Sequence, residues 1–245
     1  MNAFITRAHR SSSSRRQLGM SLVELMVGIT IGLFIVAAAS LMVTSQLSDN
    51  RRLLLEVQVQ QDLRATADVI ARELRRAGGR QLAAEGVWSE AIAASPNPFG
   101  AITLTAGNTE VSFDYERGIG LQRLGFRFDV AGGVIQSFIG TGWQDLTDGN
   151  TMRVTGFTVQ PRSPAIPDQV IPCPKACGPL ATSADTSCWP KLKVRAYEIL
   201  ITAQARTDAR IQRSLRSEVR LRNDAYEFGT DASGNVLSAV QACPA

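Results

Sequence analysis

Glu24 is the residue whose position in this sequence most clearly suggests a chemical role. It is a lone carboxylate at the start of an apolar run, and no charged residue follows it between Leu25 and Ser48. A run of this length can cross a bilayer as a helix, which needs about 20 residues. An acid so close to a membrane helix is costly without a partner. Glu24 is therefore a candidate for ion pairing in a medium of low dielectric constant.

Positive charge precedes the apolar run. Arg7, Arg10, Arg15 and Arg16 lie before it and no acidic residue does, which predicts a cytoplasmic N-terminus. The formal net charge of +4 comes from these four arginines, because the rest of the chain has equal numbers of basic and acidic residues. The basic charge balance is therefore no evidence for nucleic-acid binding.

Histidine occurs once, at His9, within the same basic segment. The rest of the chain cannot run a Ser-His-Asp or Cys-His mechanism, nor hold a metal through imidazole. Carboxylates such as Asp114 and Glu116 alternate along a predicted strand, where such side chains are usually solvated. We expect no catalytic residue, no cofactor and no metal site, and a non-enzymatic protein.

Four cysteines follow the apolar run, on the side of the membrane where disulfides form and persist. Three pairings are possible. We prefer one bridge within the Cys- and Pro-rich segment 161–190 and one that joins the C-terminal tail to it. A four-cysteine zinc site is the alternative, disfavoured by its distant fourth ligand and the oxidising compartment. The disulfide candidates are Cys173, Cys177, Cys188 and Cys243.

A long helix positions Glu24. Beyond the apolar run, apolar residues recur at steps of three and four, which predicts one stripe of an amphipathic helix. Gly78 and Gly79 then favour a C-terminal stop. The sequence predicts one helix from Met20 to Ala77, with a coiled coil as the alternative for its second half. The stripe consists of Leu55, Val59, Leu63, Ala67, Ile70, Leu74 and Ala77.

After Gly79 the apolar pattern alternates, which predicts short strands in an antiparallel sheet with one face to be covered. The amphipathic half of the helix is the obvious cover. The fold class is then α+β, a long N-terminal helix packed on a small antiparallel sheet. The predicted strands are 101–105, 111–116, 123–130, 134–139 (after a turn at 131–133), 152–159, 194–203 and 215–222.

The segment GMSLVELM, residues 19–26, resembles the processing motif of type IV prepilins. The resemblance implies that a prepilin peptidase cuts between Gly19 and Met20 and methylates the new N-terminus, so that Glu24 becomes the fifth residue of the mature chain. Met20 stands where the family usually has phenylalanine. An uncleaved signal anchor, the main alternative, would leave Glu24 and the Gly-Met junction unexplained. Leu41, where major pilins usually have proline, fits a minor pilin better.

The helix-then-sheet order resembles the type IV pilin fold, and residues 63–78, 143–146 and 219–223 look most like the PilW-type minor pilins. The resemblance implies a subunit that primes filament assembly, with the prepilin peptidase, other minor pilins, the major pilin and the inner membrane as partners. It would be a single-pass inner-membrane protein with a periplasmic C-terminal domain, and lie on the pilus or cell surface after assembly. A pseudopilin of a type II secretion system and a membrane-tethered periplasmic binding module are the alternatives.

The expected organisation follows from these patterns. It comprises a basic leader at 1–19, a transmembrane and assembly helix at 20–48, its amphipathic continuation at 49–79, a sheet domain at 80–223 and a tail at 224–245.

The densest basic run beyond the leader lies between residues 206 and 222. It suggests a DNA-binding patch or, as we prefer, the solvated face of an edge strand, where charges discourage aggregation. Acidic residues interrupt the run and no aromatic residue is interleaved to stack on bases, so nucleic acid is not an expected partner. The run consists of Arg206, Arg210, Arg213, Arg216, Arg220 and Arg222.

Overall fold

A computed structural model describes residues 19–81, 97–105, 107–118, 120–173 and 189–227. The chain divides into two compact units, Met1–Arg51 and Arg52–Ala245. The described residues form one helix and eleven strands. These are α1 (Leu22–Leu74), β1 (Ile102–Leu104), β2 (Glu110–Arg117), β3 (Gly120–Asp129), β4 (Val134–Ile139), β5 (Gly142–Asp145), β6 (Met152–Pro161), β7 (Gln169–Val170), β8 (Lys191–Lys193), β9 (Ala196–Ala205), β10 (Gln212–Arg220) and β11 (Ala225–Glu227).

The described part of the first unit is mostly the apolar half of α1. Its large apolar side chains, from Leu22 to Leu47, are each at least half exposed. Three hydroxyl groups among them form hydrogen bonds within the helix. The hydroxyl groups of Ser40 and Thr44 donate hydrogen bonds of 2.8 Å to the carbonyls four residues earlier, and Thr30 does so at 3.0 Å. These three hydroxyl groups can therefore enter an apolar medium already paired.

The second unit contains a five-stranded antiparallel sheet in the order β1-β2-β3-β4-β5. Each strand pairs with its neighbours in sequence, so the sheet is a meander. The predicted hairpin is confirmed, because β3 and β4 are joined by a turn in which Gly133 has a φ of 66°. On β2 the predicted face is also confirmed, since Val111, Phe113 and Tyr115 are buried.

A second sheet has the order β10-β9-β6 and a small third sheet the order β11-β8-β7. A register shift between Val154 and Gly156 interrupts the pairing of β6 with β9. Two backbone hydrogen bonds join β6 to turns of the five-stranded sheet, from Val154 N to Gly133 O at 2.8 Å and from Val159 N to Asn108 O at 2.9 Å. The two larger sheets contribute side chains to one apolar cluster.

The amphipathic half of α1 completes this core. The predicted stripe is confirmed: six of its seven residues are at most 2% exposed, and Leu55 is partly buried against them. They form a single apolar cluster with side chains from both larger sheets, including Phe113, Phe126, Phe157 and Ile201. The α+β fold class is confirmed, because the helix buries its apolar stripe against the apolar faces of antiparallel sheets.

The three-residue strand β1 lies within the predicted strand 101–105, but four other short strands were not predicted from the sequence. β5 has four residues, β8 and β11 have three and β7 has two, so none shows a readable alternation. β7 lies within the expected loop 161–190, and β11 lies in the expected tail, where it pairs with β8. Backbone pairing between distant segments forms these strands, and side-chain periodicity does not report it.

The helix ends three residues before the predicted Ala77, and the two glycines follow it. α1 closes at Leu74, and a turn of tighter hydrogen bonds leads to Gly78, whose φ is +73°. The chain then pairs with β2: Gly78 N donates to Asp114 O at 2.9 Å, and Glu116 N donates to Gly79 O at 2.8 Å. The left-handed residue is what turns the chain from the helix onto the sheet.

We predict that Gly78→Ala lowers the free energy of unfolding by about 1–3 kcal/mol, because alanine is strained at a positive φ. A Cβ at this position would also lie 3.3 Å from Arg195 Nη2 and 3.3 Å from Asn97 Nδ2. The measurement is urea denaturation of the full chain in detergent micelles, followed by tryptophan fluorescence. Gly140→Ala is the matched control, since Gly140 has a φ of +66° and its Cβ would meet nothing within 4 Å. A Gly78 variant no less stable than the control would contradict the role of these contacts.

Candidate processing and assembly site

The Gly19–Met20 peptide bond lies in an accessible, non-helical segment just before α1. Gly19 and Met20 have no regular secondary structure, and the Met20 side chain is 68% exposed. The φ of Gly19 lies outside the left-handed region, and a Cβ added there would meet nothing within 4 Å. The described fold therefore does not require glycine at position 19, so a requirement for it would come from another molecule.

Ser21 and Glu24 begin the helix. Leu25 N donates to Ser21 O at 3.1 Å, which makes Ser21 the residue that caps α1. Glu24 then lies in the first turn, where a carboxylate interacts favourably with the helix dipole. The spacing Ser-x-x-Glu is that of a capping box, a pattern that sequence reasoning passed over. Position in the first turn stabilises Glu24 locally, but its carboxylate is exposed and without an ion pair in the described residues.

The surroundings of Glu24 are apolar. Leu22, Val23, Leu25 and Met26 are between 50% and 74% exposed, and no part of the described chain covers them. Within the described residues, α1 is the one helix with the length and composition to cross a membrane. The arrangement can do one thing chemically: present a single carboxylate beside a long apolar surface.

Comparisons with known protein families agree with this arrangement. A family model for the "Prokaryotic N-terminal methylation motif" matches residues 14–40, which contain Gly19, Met20 and Glu24. A second model, "Prepilin peptidase-dependent protein B", matches residues 52–221, more than half of the chain. The chain belongs to the prepilin peptidase-dependent protein B family. Comparison with curated proteins and with solved structures gave no significant match.

Family membership fixes the general class. A prepilin peptidase-dependent protein with a methylation motif is a pilin- or pseudopilin-type subunit, and the prepilin peptidase is its processing partner. Such a family suggests a structural, non-enzymatic role. A single N-terminal apolar helix with this motif fits anchoring in the inner membrane. The comparisons support a type IV prepilin-like protein without singling out the PilW type.

Of the four cysteines, the described residues include Cys173, which is buried and disulfide-bonded. A sulfur in a disulfide is not a thiolate ligand, which argues against the zinc alternative. Cys177, Cys188 and Cys243 lie outside the described residues, so the pairing stays a prediction. No group of three or more His, Cys, Asp or Glu in the described part of the chain is arranged to hold a metal ion.

Three of the six arginines in the basic run on and around β10 are neutralised by carboxylates. Arg213 pairs with Glu56, with Nη2 2.5 Å from Oε2, and Arg220 pairs with Asp224 at 3.1 Å. Arg216 pairs with Glu198 on the neighbouring strand β9. These pairs favour the interpretation of a solvated strand face over a DNA-binding patch. They also tie β10 to both α1 and β9, which sequence spacing did not show.

Sequence reasoning also missed Arg195, between β8 and β9. Its guanidinium donates to Gly100 O, and to Asn223 O at 2.5 Å, and so holds two loops beside the helix end. Burial lowers the pKa of Arg195, a shift that the charges of Tyr197 and Asp224 oppose. Burial likewise raises the pKa of the Tyr197 hydroxyl. An isolated arginine in a short segment has no periodicity, so no pattern in the sequence marks this role.

Proposed function

We propose that this protein is a minor pilin, a non-enzymatic subunit that primes or caps type IV pilus assembly. The observation that carries the proposal is the exposed Glu24 carboxylate, five residues after the predicted cleavage site at Gly19, on an uncovered apolar helix. In a helix that stays in lipid, this carboxylate has no partner and stabilises nothing. In a helix that moves into a bundle of subunits, it can form an ion pair with a neighbouring subunit.

Processing would create the partner of Glu24. Cleavage after Gly19 frees a positively charged amine at Met20, which methylation leaves cationic. The apolar helix would leave lipid for a bundle of neighbouring helices, an exchange between two apolar media with little net hydrophobic gain. A polar contact between subunits can then decide how far one helix is shifted along its neighbour. An unpaired carboxylate in this medium is penalised by several kcal/mol, and the amine of an adjacent subunit offsets much of that cost.

The remaining expectations belong to this proposal. The leader 1–19 is removed, helix 20–48 is the membrane and assembly element, and the domain that follows lies in the periplasm until the subunit is assembled. Other minor pilins and the major pilin are its partners. The absence of proline from α1, with Leu41 at the family's usual proline position, supports a minor, PilW-like subunit. Disulfides among the four cysteines would restrain the tail, each typically worth about 2–4 kcal/mol.

Deletion of the gene separates this function from its nearest alternative. We expect loss of surface pili and twitching with protein export unchanged, measured by electron microscopy, motility and secretome analysis of the same strains. Complementation with the wild-type chain is the control. Lost export with normal pili would instead identify a pseudopilin of a type II secretion system. A strain normal in both would favour a membrane-tethered binding module and contradict our proposal.

A further inference from the structure

Five arginines surround a cavity of about 360 Å³ beside the C-terminal end of α1, which we call the arginine groove. Arg75, Arg76 and Arg80 follow the last residue of the helix, Arg117 ends β2, and Arg222 follows β10. The positive charges thus come from three separate parts of the chain, and only the fold brings them together.

The charge of this groove is not neutralised. Arg76 pairs with Glu73 at 3.1 Å. The other four arginines form no ion pair within the part of the chain that the structure describes. One carboxylate lines the wall, that of Glu116, and its Oε2 already accepts a 2.8 Å hydrogen bond from the Gln81 backbone N–H. The groove therefore has a clear excess of positive charge.

The helix dipole accounts for only part of this arrangement. Cations near a helix C-terminus are stabilising, but the effect falls off within the last turn. It can favour Arg75 and Arg76. It does not explain why Arg117, at the end of β2, and Arg222, after β10, face the same cavity. Like charges gathered without a partner are unfavourable in the isolated chain, which points to an anion supplied from outside.

The backbone around the groove is held in place before any ligand arrives. Asn223 Nδ2 donates to Ala77 O at 3.1 Å, which joins the segment containing Arg222 to the helix end. Glu116 N donates to Gly79 O at 2.8 Å, which joins the end of β2 to the same segment. Tyr115 forms part of the wall and is 8% exposed. Such preorganisation lowers the entropic cost of binding.

We propose that the arginine groove docks an acidic segment of a neighbouring filament subunit, an inference that rests on the proposed function. Guanidinium groups bind carboxylates through paired, charge-assisted hydrogen bonds. A compact cavity fits two or three carboxylates of a loop. A nucleic acid is less suited, because the aromatic wall residue is buried and cannot stack on bases.

The test uses the full chain in detergent micelles and a fluorescein-labelled hexaglutamate peptide, followed by fluorescence anisotropy at low salt. The variant Arg117→Gln with Arg222→Gln is expected to weaken binding by at least about tenfold. The matched control is Arg206→Gln with Arg210→Gln, which removes the same net charge from exposed positions that do not line the groove. We expect this control to bind as the wild type does. No binding by the wild type, or equal losses in both variants, would overturn the inference.

Two further experiments identify the molecule that binds in the arginine groove. A 12-base-pair DNA duplex is expected to bind more weakly than the peptide, and tighter binding would replace our proposal by a nucleic-acid site. In cells, a photo-crosslinking amino acid at position 81, an exposed position that lines the groove without supplying an arginine, is expected to capture another prepilin-type subunit, identified by mass spectrometry. Crosslinks that never contain such a subunit would contradict the docking role.

These results are separable from the proposed function. If the groove variant binds the peptide normally while deletion still abolishes pili, the docking inference fails and the minor pilin proposal stands. If the wild-type groove binds the peptide while deletion leaves pili intact, the groove chemistry stands and the minor pilin proposal fails.

Discussion

Gly19→Val is expected to block processing of this chain almost completely. The protein from native membranes would keep residues 1–19 and lack the methyl group on Met20. The reason lies in the geometry of the site: the described chain tolerates a side chain at position 19, because an added Cβ would meet nothing within 4 Å. A loss of processing would then report recognition by the peptidase and not a folding defect. Intact-mass spectrometry of the purified protein is the measurement.

The control for this prediction is Gly142→Val. Gly142 lies in β5, its Cβ would also meet nothing within 4 Å, and β-branched residues are favoured in strands. We expect this variant to be cut and methylated as the wild type is. A Gly19 variant that still begins at a methylated Met20 would show that the peptidase does not read this glycine. A wild-type protein that retains residues 1–19 would remove the basis of the filament-subunit proposal.

Glu24→Gln is expected to leave cleavage intact and to reduce pilus number by at least about a hundredfold. The substitution keeps the size of the side chain, and glutamine also serves at this position of a helix start. It removes the charge that would pair with the Met20 amine of a neighbouring subunit. Breaking one side of a buried ion pair costs about 3–5 kcal/mol, and each 1.4 kcal/mol corresponds to a factor of ten in an equilibrium constant. Pili are counted by electron microscopy, with cleavage followed by mass spectrometry.

Asp49→Asn provides the matched control, because Asp49 is an exposed carboxylate just beyond the other end of the apolar run. Its removal changes net charge by the same amount, far from the processed N-terminus. We expect normal pilus numbers for this variant. Normal numbers for Glu24→Gln as well would contradict the proposed role of Glu24 in assembly, while leaving family membership untouched.

Long periodic elements were predictable, and most short or isolated ones were not. The stripe from Val59 to Leu74 repeats at steps of three and four over several turns, so each residue reinforces the same helical face. The β3–β4 hairpin was marked by alternation on both sides of a glycine turn. By contrast, β8 and β11 have three residues each, and Arg195 acts through the loops that converge on it. None of these elements has a periodic pattern of apolar residues in the sequence.

The sequence by itself determined the processing motif, the lone Glu24, the apolar and amphipathic halves of α1 and the α+β class. These features are local, because each depends on residues within a few turns or one strand of each other. Only the tertiary structure decided which arginines are neutralised and which are not. Arg213, Arg216 and Arg220 meet carboxylates, whereas Arg222 joins the arginines at the helix end. Arg220 and Asp224 are four residues apart, but the pairs of Arg213 and Arg216 depend on which distant segments come within about 4 Å, and sequence order does not specify that distance.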